Sequence, residues 1–172
     1  MVIGSNDSVS GSGVAGAQDI QDGKTVTLTG ANTLTIGNGA AAAGLIIDGG
    51  SATITGGSLA FGSSEALVYA KGTNIINSTI TGSGGLTLSG SGTLQLNTAS
   101  INDGATVIDP GTLELNVVNA LAGNRNVTLE DVKTHPSTAI LQLTANNTFF
   151  ISEWCRQRQQ RPRGHRGRVD DP

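Results

Sequence analysis

Apolar positions fall in short alternating runs. Val26-Thr27-Leu28, Leu45-Ile46-Ile47, Leu67-Val68-Tyr69, Leu86-Thr87-Leu88, Thr106-Val107-Ile108 and Ile140-Leu141-Gln142-Leu143 are rich in β-branched and large apolar residues, and their spacing predicts strands. Between them stand Asn38-Gly39, Asp48-Gly49-Gly50, Gly56-Gly57, Ser83-Gly84-Gly85 and Asp103-Gly104. These pairs adopt positive φ at little cost and predict turns. Only 3 Lys and 4 Glu occur in 172 residues, and Gly and Thr are spread throughout, so amphipathic helices lack their usual material. Helix bundles and coiled coils are excluded.

The runs repeat. Gly92-Thr93-Leu94-Gln95-Leu96-Asn97 recurs as Gly111-Thr112-Leu113-Glu114-Leu115-Asn116, and the segment Thr27–Ile36 recurs as Thr87–Leu96, displaced by about three times that interval. A period of about twenty residues, holding several short strands, predicts stacking of coil upon coil. The expected fold is all-β, a right-handed parallel β-helix (β-solenoid) of roughly six to seven coils, with the aliphatic members of each T-L-x-L segment pointing inward. The alternative is a β-sandwich, whose turn signals come roughly every 8 to 12 residues; the near-identical motifs disfavour it. Residues 1–24 read as an N-terminal lead-in or partial coil, 25–151 as the solenoid, and 152–172 as a disordered basic tail. Residues 117–135 stretch the spacing, since the motif that ends its previous pass at Leu113 returns only at Leu141, well over one period later. A loop or one helical turn bulging from a coil is expected there.

Gly84-Gly85-Leu86-Thr87-Leu88-Ser89-Gly90-Ser91-Gly92-Thr93-Leu94-Gln95-Leu96, followed by Gly104-Ala105-Thr106-Val107-Ile108 and Gly111-Thr112-Leu113-Glu114-Leu115, resembles the autotransporter-associated β-strand repeat of bacterial type V secreted passengers. Looser matches run over Thr25–Ile80, and Asn126–Leu129 with Leu141–Phe149 resembles a further coil. The resemblance implies a β-helical stalk displayed outside the cell or at the bacterial surface, with an unknown host or surface ligand. This chain departs from the pattern in two ways: it shows no signal peptide and no series of amphipathic strands for an outer-membrane barrel. It reads as an internal passenger fragment.

Charge divides the chain. Residues 1–153 hold 4 Lys+Arg against 11 Asp+Glu, whereas residues 154–172 hold 6 Arg against 2 Asp. The acidic body offers no basic patch, so nucleic acid is not an expected partner for it. No apolar stretch has the length of a membrane span. Cys155 is the single cysteine, so no disulfide forms within the chain. The abrupt onset of Cys155-Arg156-Gln157-Arg158 after Ile151 has three readings: an out-of-frame segment, a genuine basic tail, or a folded cap. Under the first two the last coil has an open strand edge, and edge-to-edge self-association is expected.

Candidate chemistry is sparse. Gly11-Ser12-Gly13-Val14-Ala15-Gly16 matches G-x-G-x-x-G, but it follows no predicted strand and opens no predicted helix, so it carries no dinucleotide reading. His135 and His165 are the only histidines and one of them lies in the tail, so no metal site built on a histidine pair is expected; His135-Pro136 reads as a loop. The carboxylates Asp48, Asp103, Asp109 and Glu114 read as solvated turn and strand-face groups, although two on adjacent coils would suffice for a glycosidase pair. Asn77-Ser78-Thr79, Asn126-Val127-Thr128 and Asn146-Asn147-Thr148 fit the glycosylation pattern, as an Asn- and Thr-rich chain will. Tyr69, Phe61, Phe149 and Phe150 are the aromatics of the body, and Arg125 is its one arginine. The expectation is a non-enzymatic segment with no cofactor, no metal and no catalytic residue. Its rivals are a polysaccharide lyase or tail-spike-like depolymerase, which needs a groove with aromatic platforms, and a surface-binding solenoid with a strict threonine ladder.

Overall fold

A computed structural model describes residues 2–3, 7–9, 13–15, 17–37, 43–121, 126–130, 138–147 and 150–153. The strands are β1 (Val2–Ile3), β2 (Asp7–Val9), β3 (Gly13–Ala15), β4 (Ala17–Gln21), β5 (Thr25–Ile36) and β6 (Ala43–Asp48). Next come β7 (Thr53–Ala60), β8 (Ala66–Lys71), β9 (Thr73–Gly82), β10 (Leu86–Ser89), β11 (Thr93–Leu96) and β12 (Ile101–Asn102). The last are β13 (Thr106–Ile108), β14 (Gly111–Leu115), β15 (Asn126–Leu129), β16 (Ala139–Leu143) and β17 (Phe150–Glu153). No helix occurs among the described residues.

The chain alternates between two sheets. The first runs β1-β4-β6-β8-β10-β13-β15-β17, and the second runs β16-β14-β11-β9-β7-β5-β2, with β3 and β12 paired at its side. Strand pairs throughout are parallel, each strand lying against its equivalent one coil away. This is a β-solenoid, and an antiparallel sandwich is excluded.

Period-two alternation explains the interior. In β8, Ala66, Val68 and Ala70 are buried while Leu67, Tyr69 and Lys71 face out. Parallel register then stacks like on like. Leu94, buried completely, has Leu113 as its partner, and Leu96 has Leu115. Across the first sheet, Leu45, Val68, Leu88, Ile108 and Leu129 form one continuous register column. The shorter repeat seen in the sequence, from Gly92 to Gly111, is therefore one coil of structure. The longer one is not a repeat of position: Thr27 and Thr33 both lie in β5 of the second sheet, whereas Thr87 lies in β10 of the first sheet and Thr93 in β11 of the second. The same strand-Gly-strand wording serves two different corners, because any corner needs only a short polar break that turns the chain.

Gly56-Gly57, expected as a turn, instead lies inside β7 at a register shift against both neighbours. Both residues have positive φ, +76° and +41°. A Cβ on either would strike the backbone oxygen of Leu28 or Asn32 in the preceding coil, so glycine lets the strand bend while the coils stay in contact. A glycine stack lines another corner. A Cβ on Gly92 would collide with the backbone of Gly72, and one on Gly72 with Gly49 and Gly50.

The long interval after Leu113 contains a turn and then a strand. Leu113 pairs with Leu141, so the stretched spacing is accommodated without loss of register, while β15 returns to the first sheet with Val127 against Thr106. Residues 117–121 form the turn, and Asn147 ties it down: its Nδ2 donates to the Val117 carbonyl (3.0 Å) and its Oδ1 accepts from the Ala120 amide (3.0 Å). No helical turn is seen at 117–121 or 126–130; 122–125 and 131–135 lie outside the described residues. The expected lead-in, 1–24, carries β1 to β4, and each of them is already paired with a strand of the two sheets.

Candidate functional surfaces

Outward positions of the two sheets build two surfaces of different chemistry. On the second sheet the face is hydroxyl and amide. Thr25 and Thr27 stand beside Thr53 and Thr55, and the threonine column then passes to Asn77, Asn97, Asn116 and Thr144. Asn116 Nδ2 donates to Asn97 Oδ1 (2.8 Å), and Asn97 Nδ2 donates to Asn77 Oδ1 (3.0 Å). Thr144 Oγ1 closes the series by donating to Asn116 Oδ1 (2.6 Å). In the adjacent column Ile75 breaks the threonine pattern, followed by Gln95, whose Nε2 donates to Glu114 Oε2 (3.0 Å). No strict T-x-T ladder runs from coil to coil among the described residues.

The first sheet presents apolar groups instead. Ile46, Leu67 and Tyr69 are exposed at 43%, 40% and 43%. Ile46 and Tyr69 are register partners, and Leu67 lies two positions before Tyr69 on the same face. The next column carries Asp48 and Lys71, also partners, whose side chains form an exposed ion pair at 3.5 Å. Such a pair contributes little to stability. On the other flank Thr87 Oγ1 donates to Glu65 Oε1 (2.5 Å).

The candidate carboxylates are kept apart. Asp48 stacks between Gln21 and Lys71, and Glu114 between Gln95 and Gln142 on the other sheet. Asp103 and Asp109 follow β12 and β13 at corners, where their amides donate to the Gly82 and Leu88 carbonyls. No two of the four are register partners. Among the described residues no group of three or more His, Cys, Asp or Glu gathers as for a metal ion. Phe61 is buried at 2% and is core, leaving Tyr69 as the exposed aromatic among those whose side chains are described. His135, His165, Cys155, Arg125, Phe149, Asn38-Gly39 and the tail from Trp154 lie outside the described residues, as do Gly11, Ser12 and Gly16.

Two polar groups that composition did not single out organise corners. Asn74 is completely buried, yet its Nδ2 donates to the Lys71 carbonyl (2.9 Å) and its Oδ1 accepts from the Ala52 amide (2.9 Å). It therefore satisfies backbone groups of two coils. Asp22 receives the Ser51 amide at 2.9 Å. That hydrogen bond, with others from Gly50 and Gly23, holds its carboxyl below the usual carboxylate range, and Lys24 adds a smaller pull in the same direction. A corner Asp-Gly reads as a turn in sequence; its grip on the next coil does not show there.

No helix among the described residues is long and apolar enough to cross a membrane. No protein-family model, curated protein or solved structure matches this chain.

Proposed function

We propose that this chain is a non-catalytic β-solenoid segment that serves as a rigid spacer and display scaffold outside the bacterial cell, as in the type V passengers its repeat resembles. The observation that carries this reading is the unbroken in-register column from Leu45 to Leu129. Such a column fixes distance and orientation along an axis, which is what a stalk supplies. The separation of Asp48, Asp103, Asp109 and Glu114 is in keeping with it.

The test is twofold. The full chain, incubated with a panel of neutral and acidic polysaccharides, is expected to release no reducing or unsaturated ends. Turnover that disappears when one of those four carboxylates is replaced would overturn the reading in favour of a carbohydrate-active β-helix. In cells that produce the chain, antibodies to it are expected to label intact cells or the medium; signal only after lysis would overturn the display role.

A further inference from the structure

The apolar patch on the first sheet has the features of a weak binding platform, and we infer that it docks a neutral glycan chain by stacking one pyranose ring on Tyr69. Tyr69 is 43% exposed. Ile46 flanks it one strand away, at about 4.8 Å, and Leu67 flanks it along its own strand, at roughly 6.6 Å. The position beside Leu67 on the neighbouring strand is Gly44, with Ala17 beyond it. These small residues leave a shallow step next to the apolar group.

A pyranose ring has an apolar C–H face and a rim of hydroxyls, and the patch mirrors that division. Its centre is aromatic and aliphatic, and one side carries the Asp48 carboxylate and Lys71 ammonium, 3.5 Å apart and both exposed. These can accept from and donate to hydroxyls at the ring edge. Size argues against a protein partner. The apolar centre, three large side chains at four-tenths exposure, is roughly 200 Å², about half the apolar share of the roughly 800 Å² that each partner buries in a stable interface. Charge selects among glycans, because a body with 11 Asp+Glu against 4 Lys+Arg repels uronic acid polymers. The inference rests on the non-catalytic reading above and names its ligand class.

The test uses the full chain with labelled isoleucine, leucine and tyrosine. It is titrated with a β-1,4-linked glucose hexasaccharide and, separately, with hexagalacturonate. Expected are saturable NMR shifts at Ile46, Leu67 and Tyr69 with the neutral sugar, at a dissociation constant on the order of 1 mM. Tyr69→Ala, an outward substitution that leaves thermal unfolding nearly unchanged, weakens binding about tenfold. Tyr69→Phe retains it, and Ile140→Ser, at an exposed site on the other sheet, leaves it unaltered. The inference is overturned if neither sugar shifts these signals at tens of millimolar, if the acidic sugar binds as well as the neutral one, or if Tyr69→Ala binds unchanged. It is also overturned if the signals move with protein concentration alone, which would mark self-association. Loss of binding leaves the spacer reading intact, whereas cleavage of the hexasaccharide overturns that reading instead.

Discussion

Leu115 and Leu143 are the same residue type, one coil apart, in direct register, and they differ almost as much as two leucines can. Leu115 is completely buried and Leu143 is 49% exposed. The same holds for β16 generally, where inward Leu141, the partner of completely buried Leu113, is only partly buried against the core and the strand's alternation no longer produces a buried face. Burial in this fold is conferred by the neighbouring coil on each side. An apolar residue at an inward position has done only half of what the core needs until another coil closes over it.

The largest expected effect comes from charging the middle of a column. Leu94→Asp places an unpaired carboxylate at a site with no solvent exposure, between Asn74 and Leu113. A loss above about 4 kcal/mol, enough to abolish cooperative thermal unfolding, is expected. Leu143→Asp should leave the chain folded. The milder pair sharpens the contrast: Leu94→Ala is expected to cost about 2–5 kcal/mol and Leu143→Ala less than about 1 kcal/mol. Equal losses in chemical denaturation would show that a middle strand of the second sheet and its last strand are not different after all.

A smaller effect is expected where coils touch through backbone. Gly92→Ala sets a methyl against the peptide of Gly72, which is not a flexible side chain that can step aside. Its cost should be about 1–3 kcal/mol, as for overpacking. Gly92 is not among the positive-φ glycines, whereas Gly62 has a φ of +60° and open space around it. Gly62→Ala should therefore lose only about 1 kcal/mol from backbone strain. If Gly92→Ala loses no more than Gly62→Ala, the backbone approach of Gly72 does not constrain position 92 and the stacking account fails.

The smallest concerns Asp22. Its carboxyl titrates lower in the folded chain than in the unfolded one because the Ser51, Gly50 and Gly23 amides donate to the charged form. The unfolded state then binds the proton more readily, so the stabilisation is complete above the unfolded value of about 4 and is lost as pH falls through the lower folded value. Asp22→Asn should lower the melting temperature slightly at neutral pH, where the carboxylate's contribution is complete, and approach the parent chain below about pH 4, so that its own fall with acid is flatter. An identical acid profile for both proteins would remove Asp22 from the corner's energetics.

How far the sequence anticipates these sites depends on the kind of signal. The pairing of Leu94 with Leu113 was legible, because the displacement of Gly-Thr-Leu-x-Leu-Asn from Gly92 to Gly111 is itself the register. The different placement of Thr27 and Thr87 was not, since alternation and a corner glycine look alike at every corner. Nor could Leu67-Val68-Tyr69 announce which members face out. An unbroken apolar run has no phase, and Tyr69 became visible as a surface group only once Val68 was placed inside. Asn74 was missed for a related reason: a lone asparagine in a polar chain gives no hint that it is completely buried and bonded to two coils.

The amide series from Asn116 through Asn97 to Asn77 and the backbone ladders between coils all lie along the stack. Tension applied between the ends therefore pulls these hydrogen bonds open in sequence instead of shearing many at once. The mechanical unit is one coil, the stretch from Ala66 to its partner Leu86. Once freed, that coil extends to about 70 Å of backbone, at roughly 3.5 Å for each residue. A short stack of this kind lengthens in steps under load, from an end inward, and each step leaves the remaining coils folded.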